Sequence, residues 1–285
     1  MVVHVALAAL LGLAIGLSLG ALGGGGSILT VPGLVYALDV DAKHATGASL
    51  LIVGLSALIG MVAHHRAKRV RWSVGVVVGI VSIAGSTLGT DLNRRVEPDV
   101  LLLLFAVLMF VVAGAMIARD RAAARREVTN AARVLVPVGA TGGVGGLDAG
   151  ALDVGAAPRS HTPRAWTVAA VGVGVGFLTG FLGVGGGFIV VPSLVLALGF
   201  ELPEAVGTSL LIIALSSAFA IAERHGVHGV PGATLWPFAA SAMVAAVLGN
   251  RIASRVPARR LNQGFIVLVI VVACYVALRS ALAIS

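Results

Sequence analysis

The chain has 285 residues, of which 58% are hydrophobic and 11% are charged, and its formal net charge is +8. A soluble domain of this length cannot bury so much apolar surface, so the composition excludes a soluble globular protein and predicts an integral membrane protein. The basic residues stand in short loops between hydrophobic runs, which argues against a nucleic-acid partner. The single cysteine, Cys274, excludes a disulfide framework and a thiolate metal site.

Apolar segments recur along the chain, and each half contains five of them. The first segment of a half ends in a glycine cluster, the second runs through a proline, and three longer segments follow. The segment that begins at Val2 lacks the basic start of a signal peptide, so we expect it to belong to the mature fold. The longer runs match the length of membrane-spanning helices and lack the alternation of barrel strands. They cover residues 45–63, 73–88, 100–117, 165–182, 206–222, 233–248 and 264–278.

The two halves of the chain are copies of one unit. Residues 20–32 read GALGGGGSILTVP and residues 180–192 read GFLGVGGGFIVVP, and the same 160-residue offset relates Ser49 to Ser209, Arg95 to Arg255 and Phe105 to Phe265. The register holds without an insertion, which indicates a duplication. Glycines four residues apart in each first segment predict close packing of that helix against a neighbour. They are Gly12, Gly16 and Gly20, with Gly172, Gly176 and Gly180.

The number of segments predicts how the halves are oriented. Five is odd, so a second copy begins on the opposite side of the membrane and the halves form inverted-topology repeats. A re-entrant pair formed by the first two segments leaves three crossings and the same parity. If only one of that pair crosses, the halves are parallel instead.

Loop charges give an independent indication of inversion. Residues 64–71 are strongly basic, whereas the equivalent residues 224–229 hold one arginine, and the bias reverses between residues 91–99 and 251–260. Because cytoplasmic loops carry the excess of Lys and Arg, we expect the 64–71 and 251–260 loops in the cytoplasm and both chain ends outside. The division is then a membrane repeat over 1–117, a cytoplasmic linker over 118–165, Arg-rich and then Gly/Ala-rich, and a second repeat over 166–285.

The glycine clusters are the predicted binding site. Consecutive glycines permit turns, and the helix that resumes after each cluster points free N–H groups and partial positive charge back at it, which suits an anion. The alternative is a tight interhelical turn without a ligand. The candidate residues are Gly23, Gly25, Gly26 and Ser27, with Gly183, Gly185, Gly186 and Gly187, and Pro32 and Pro192 are candidate hinges.

A second set of candidates lies at the start of the third segment in each half, where hydroxyl groups stand at helix N-termini. They are Thr46, Gly47 and Ser49, with Gly207, Thr208 and Ser209. Helix capping is the alternative role for them. No Asp, Glu, Lys or Arg stands in the middle of a predicted span, which favours an anion held by neutral donors over a cation pump. Neither cluster is followed by the Lys-Ser or Lys-Thr of a phosphate-binding loop, and we expect no metal, no cofactor and no enzyme activity.

The paired glycine and Val-Pro motifs, with Gly-Ala-Ser-Leu-Leu at residues 47–51 and Gly-Thr-Ser-Leu-Leu at residues 207–211, resemble the sulfite exporter TauE/SafE family of bacterial permeases. This resemblance covers nearly all of the chain outside the linker. It implies transport, usually export, of sulfite or sulfur-containing organic anions such as sulfoacetate. By position it carries over the candidate residues above except Thr46, Ser27 and Gly187. The first half departs from the pattern with Ser27 opposite Gly187 and Ala48 opposite Thr208, so two equal sites are not expected.

These observations together predict an all-helical multi-pass carrier of the cytoplasmic membrane with one anion site between its halves. Alternating access would come from rocking of the two halves. An anion channel and a non-transporting assembly component are the alternatives. The expected partners are a small anion and the lipid bilayer, without nucleic acid, while proton coupling and homo-oligomerisation stay open.

Overall fold

The computed structural model describes residues 2–38, 40, 42–93, 95–96, 98–134, 164–182, 187–223, 230–284. All regular structure in these ranges is helical, in agreement with the predicted all-α class. The ten α-helices are α1 Val2–Leu22, α2 Gly25–Pro32, α3 Ala42–Arg66, α4 Trp72–Asn93, α5 Pro98–Val134, α6 Ala165–Leu182, α7 Gly187–Leu196, α8 Leu202–Glu223, α9 Gly232–Ala253 and α10 Ala258–Ile284, and a π-helical segment, Gly33–Ala37, continues α2.

Five of the described helices, α1, α3, α4, α8 and α9, are long and apolar enough to cross a membrane. The predicted break at the first glycine cluster is present, because α1 ends at Leu22 and α2 begins at Gly25. The second cluster falls largely on residues 183–186, which lie outside the described residues. The structure extends α5 to Val134, beyond the predicted end of the first repeat at residue 117. Alanine and arginine dominate this extension and are good helix formers. The rest of the predicted linker, residues 135–163, lies outside the described residues.

The first helix of each half packs on the fourth helix of the other half. A Cβ atom at Gly16 of α1 would meet the carbonyl oxygen of Ala242 in α9, and a Cβ atom at Gly176 of α6 would meet the carbonyl oxygen of Ser82 in α4. The same 160-residue offset relates the members of these two pairs. The predicted close packing at the glycine faces is therefore present in both halves, with backbones in direct contact.

The third helices of the two halves cross each other in opposite directions. Gly54 near the middle of α3 lies against Ser217 of α8, and Gly60 further along α3 lies against Leu210, earlier in α8. The fifth helices, α5 and α10, also run in opposite directions. The Asn262 side chain near the start of α10 donates to the Asp120 carboxylate late in α5 at 2.6 Å. Helices that the repeat relates thus run antiparallel where they touch.

The short helix α2 runs back along α1. Gly26 lies against Ile15 and Leu19, and Gly33 lies near Leu11 and Ile15, so the two helices form an antiparallel hairpin. Eight α-helical and five π-helical residues in α2 and its continuation, and ten residues in α7, are too few to cross about 30 Å of hydrocarbon.

One face of the molecule gathers the cationic loops, and we call it the basic face. The end of α3 lies beside the end of α1, and the loop from α3 to α4 contacts the start of α8. The Arg119 guanidinium late in α5 reaches the carbonyl oxygen of Phe200, just before α8. The ends of α9 and α5 and the start of α10 belong to the same face by the contacts above. Its basic residues are Arg66, Lys68, Arg69, Arg71, Arg119, Arg121, Arg251, Arg255, Arg259 and Arg260.

Candidate functional site

The glycine turn between α1 and α2 meets the start of α7 at the centre of the molecule. Gly23 has φ +79°, and a Cβ atom there would lie 2.7 Å from the Ser209 hydroxyl oxygen. A Cβ atom at Gly24 would run into the backbone of Gly187, and a Cβ atom at Gly187 would lie 2.6 Å from the Ser27 hydroxyl oxygen. Left-handed backbone and backbone contact explain why the sequence holds glycine here.

The structure describes only part of the predicted clusters. Gly23, Gly26 and Ser27 are buried around the turn, and Gly25 is the first residue of α2. Gly183, Gly185 and Gly186 lie outside the described residues, so their role stays a prediction. The starts of α2 and α7 come together at this point, and anion binding there stays a prediction.

A cavity of about 600 Å³ adjoins this meeting point. Helices α2, α3, α4, α6, α7 and α8 surround it, so both halves of the chain contribute. Nine of its lining residues carry hydroxyl groups. They are Ser27, Ser49, Ser82, Ser86, Thr87, Thr90, Thr179, Ser216 and Ser217.

Helix α4 supplies a row of these hydroxyl groups that sequence reasoning missed. Ser82, Ser86 and Thr90 are spaced by four residues, so they share one helix face and span about 12 Å along it. The row starts at buried Ser82, whose hydroxyl oxygen lies 3.5 Å from that of Ser216 in α8, and continues to exposed Asp91. The cavity therefore extends from the glycine turns towards the face opposite the basic face. The four-residue spacing of small hydroxyl residues was the available signal.

The hydroxyl groups can act as donors or as acceptors. In this structure Ser27 donates to the carbonyl oxygen of Gly24 at 2.7 Å, Ser49 donates to that of Thr46 at 3.0 Å, and Ser82 donates to that of Gly79 at 2.8 Å. Such bonds to the same helix are easily exchanged for a ligand by rotation of the hydroxyl group. Asp91 at the exposed end is the charged residue of the described lining, so the deeper cavity is polar but uncharged.

The predicted helix start of the second half lies elsewhere, at the basic face. A Cβ atom at Gly207 would lie 2.7 Å from the carbonyl oxygen of Arg69. The hydroxyl of Thr208 accepts a hydrogen bond from the backbone N–H of Arg71 at 3.1 Å. Ser209 is buried beside Gly23. Gly207 and Thr208 join the loop from α3 to α4 to α8, Ser209 contacts the glycine turn, and none of the three lines the cavity.

The remaining candidates have structural positions. In the first half, Ser49 lines the cavity, while Thr46 and Gly47 of the same helix turn are outside its lining. Pro32 is the last α-helical residue of α2, and Pro192 is buried inside α7. Among the described residues no group of three or more His, Cys, Asp or Glu side chains is arranged to hold a metal ion.

The region that the repeat relates to the cavity is filled. Ser82, Ser86 and Thr90 of α4 correspond to Ala242, Ala246 and Asn250 of α9, all of which are buried. Ser216 corresponds to Ser56, which is 1% exposed and whose hydroxyl has no partner. Thr179 corresponds to Leu19, which is fully buried. The cavity is thus open on one side of the centre and closed on the other.

Comparison with known proteins agrees with this architecture. Residues 8–276 match the model of the family described as Sulfite exporter TauE/SafE. A probable membrane transporter protein of Xylella fastidiosa (strain Temecula1) is 30% identical over 270 residues, which cover 93% of this chain and 92% of that protein. The probable membrane transporter protein YunE of Bacillus subtilis (strain 168) is 26% identical over 82% of each chain. No solved structure is significantly similar. The chain is therefore a multi-pass membrane protein that belongs to the sulfite exporter TauE/SafE family of membrane transporters.

Proposed function

We propose that this transporter is a secondary carrier that exports sulfite or a small sulfur-containing organic anion across the cytoplasmic membrane by alternating access. The observation that carries the proposal is the hydroxyl-lined cavity, which begins where the α2 and α7 N-termini meet, is uncharged in its deeper part and extends to exposed Asp91. The remaining features below support the topology, the orientation and the chemistry in turn.

Inverted topology is supported by the helix directions. Because α3 and α8 are repeat-related and cross antiparallel, the two-fold axis that relates them is perpendicular to the helices and lies in the membrane plane. The α1–α2 hairpin is then a re-entrant pair, and by the repeat we infer the same for α6 and α7, which leaves three crossings in each half. This arrangement goes with the division into repeats over 1–117 and 166–285 joined by a cytoplasmic linker.

Orientation follows from the charges. The basic face carries ten Arg and Lys residues from loops and helix ends, so by the positive-inside rule it faces the cytoplasm. The cavity then opens outward, and the structure represents an outward-facing state. Exchange of the conformations of the two halves would fill this cavity and open its counterpart at Ser56, Ala242 and Ala246 towards the cytoplasm.

Anion binding is supported by the kind of donors that converge. The N-termini of α2 and α7 offer partial positive charge, and Ser27, Ser49 and Ser82 offer O–H donors. A doubly charged oxyanion is held by several such donors in a site shielded from water, with no cation required. The absence of a fixed positive charge from the described lining allows release, since the anion leaves no buried unpaired cation behind.

Counterflow of labelled sulfite, sulfate and sulfonates into proteoliposomes tests the proposal. The informative variant is Ser82→Ala with Ser86→Ala, because the repeat counterparts at these packing positions are alanines and the fold tolerates them there. Loss of two donor groups, each worth about 0.5 to 1.5 kcal/mol, raises the half-saturating concentration by roughly 5-fold to 150-fold. The matched control is Ser254→Ala, an exposed serine between α9 and α10.

Three results would contradict parts of this proposal. Equal half-saturating anion concentrations in the double variant and the control would show that the α4 hydroxyl row is not part of the site. Ohmic single-channel currents would show that the protein is a channel and not a carrier. No flux of any tested anion by correctly folded protein would support a non-transporting assembly component.

A further inference from the structure

His64 is a buried titratable side chain at the closed, basic face, and the carrier scheme above does not use it. It is 1% exposed, in the last turn of α3. Its Nε2 atom lies 3.4 Å from the carbonyl oxygen of Gly20, near the end of α1, and its Nδ1 atom is buried without a hydrogen-bond partner among the described residues. A carbonyl oxygen only accepts, so Nε2 carries the proton and Nδ1 is the bare acceptor nitrogen.

The surroundings of His64 are the contacts that close this face. A Cβ atom at Gly207 of α8 would lie 3.2 Å from the His64 Cβ atom, and the Arg69 N–H donates to the His64 carbonyl oxygen at 3.1 Å. Opening of the path between the halves towards the basic face must separate α8 and the end of α1 from this point. His64 is therefore exposed to water only when the face opens.

The charged groups around His64 are predominantly positive. The loop to α4 brings Lys68, Arg69 and Arg71, and Arg251 in the last turn of α9 belongs to the same basic face. From α8 comes Glu204, whose carboxylate is held by Arg71 at 3.0 Å. On its own helix His64 is followed by His65 and Arg66, while the adjacent ends of α1 and α2 carry no charge. An imidazolium in the closed state would meet no free carboxylate among these groups.

We propose that His64 is a proton-binding site that controls opening of the basic face, an inference that rests on the proposed alternating access. The neutral imidazole fits the closed state through its bond to Gly20. A second proton would place an N–H at Nδ1, where the closed structure offers no acceptor, and would add a positive charge. In the open state water accepts a hydrogen bond from the added N–H and solvates the positive charge. Protonation therefore shifts the population towards the state in which the basic face is open.

The proposed control by protonation of His64 acts on one side of the molecule. The repeat counterpart of His64 is Arg224, which lies outside the described residues and has no titration near neutral pH. The counterparts of Arg71 and Glu204 are Pro231 and His44, so this ion pair has no equivalent in the other half. Acidity at the basic face therefore acts through His64 and not through a matching residue opposite.

Labelling of a cysteine at position 56 tests the proposal without relying on transport. In a Cys274→Ala background, Ser56→Cys reports the closed side of the centre, and Ser216→Cys, its repeat counterpart, reports the open cavity and correct folding. A membrane-impermeant thiol reagent is applied to oriented vesicles, from the basic face for Ser56→Cys and from the opposite face for Ser216→Cys. Each rate is compared at the same pH with and without His64→Gln, which keeps a neutral donor, so the titration of the thiol itself cancels.

We expect the Ser56→Cys rate with His64 to exceed the rate with His64→Gln as the pH falls below about 6.5, by up to tenfold per pH unit. A ratio that does not change with pH would overturn the proton site. Anion flux measured in the Cys274→Ala background, with His64 and with His64→Gln, separates the two proposals. A labelling ratio that depends on pH, without anion flux, contradicts the proposed transport but supports the proton site at His64. Anion flux with a labelling ratio that does not depend on pH supports transport and contradicts the proton site.

Discussion

The substitution Gly176→Ala tests the contact between α6 and α4. The added Cβ atom would collide with the carbonyl oxygen of Ser82 and lie 2.7 Å from its Cα atom. Carbon atoms in contact lie about 3.5 to 4.0 Å apart, so the helices must separate by roughly 0.8 Å or more. Overpacking of this kind costs about 1 to 3 kcal/mol. For a protein of this size that corresponds to a fall in the apparent melting temperature of roughly 2 to 12 °C.

The control for this prediction lies two residues away on the same helix. Gly174 is exposed, and a Cβ atom there would meet nothing within 4 Å. Replacement of a mid-helix glycine by alanine gains about 0.5 to 1 kcal/mol in helix propensity, so Gly174→Ala raises the melting temperature slightly. Thermal unfolding of both variants in one detergent measures the difference. Equal shifts for the two substitutions would refute backbone contact between α6 and α4.

Two further predictions concern the symmetry and the closed face. Gly16→Ala in α1 should lower the stability as much as Gly176→Ala, because its Cβ atom meets Ala242 in the same way. Melting temperatures of the two variants that differ by more than a few degrees would contradict equal packing. Thr208→Val removes the buried acceptor of the Arg71 N–H and should cost about 1 to 3 kcal/mol, whereas Glu204→Gln breaks a solvent-exposed ion pair worth at most about 1 kcal/mol. A larger loss for Glu204→Gln by thermal unfolding would reverse this ranking.

The glycine turns show what sequence alone could establish. Runs of glycine in apolar sequence predicted a break between the first two helices of each half, and it is present between α1 and α2, where the structure describes it. The sequence also predicted the membrane class and the family. These properties follow from composition and local backbone preference, which act within a few residues and do not require knowledge of neighbouring helices.

Thr208 and Ser86 show why the site could not be predicted as fully. A hydroxyl residue at a helix start was a reasonable binding candidate, but the backbone N–H of Arg71, far away in sequence, occupies Thr208. A serine inside a helix commonly bonds to its own helix, so the sequence around Ser86 does not indicate a cavity. Only the arrangement of α4, α6 and α8 makes it part of a cavity. Which helix faces enclose space is a property of tertiary packing, and helical periodicity alone does not reveal it.

In the proposed carrier, the unequal lining of the two halves affects binding but not the direction of transport. If the halves exchange conformations, an anion that met Ser82 and Ser86 on the outer side meets Ala242 and Ala246 on the inner side, with fewer donors. A carrier without an energy source cannot convert this difference into net flux, because weaker binding on one side is compensated in the conformational equilibrium. Direction must come from the gradient of the anion or of a coupled ion. A one-sided proton site such as His64 supplies what unequal affinity cannot, a dependence of the opening step on conditions at a single face.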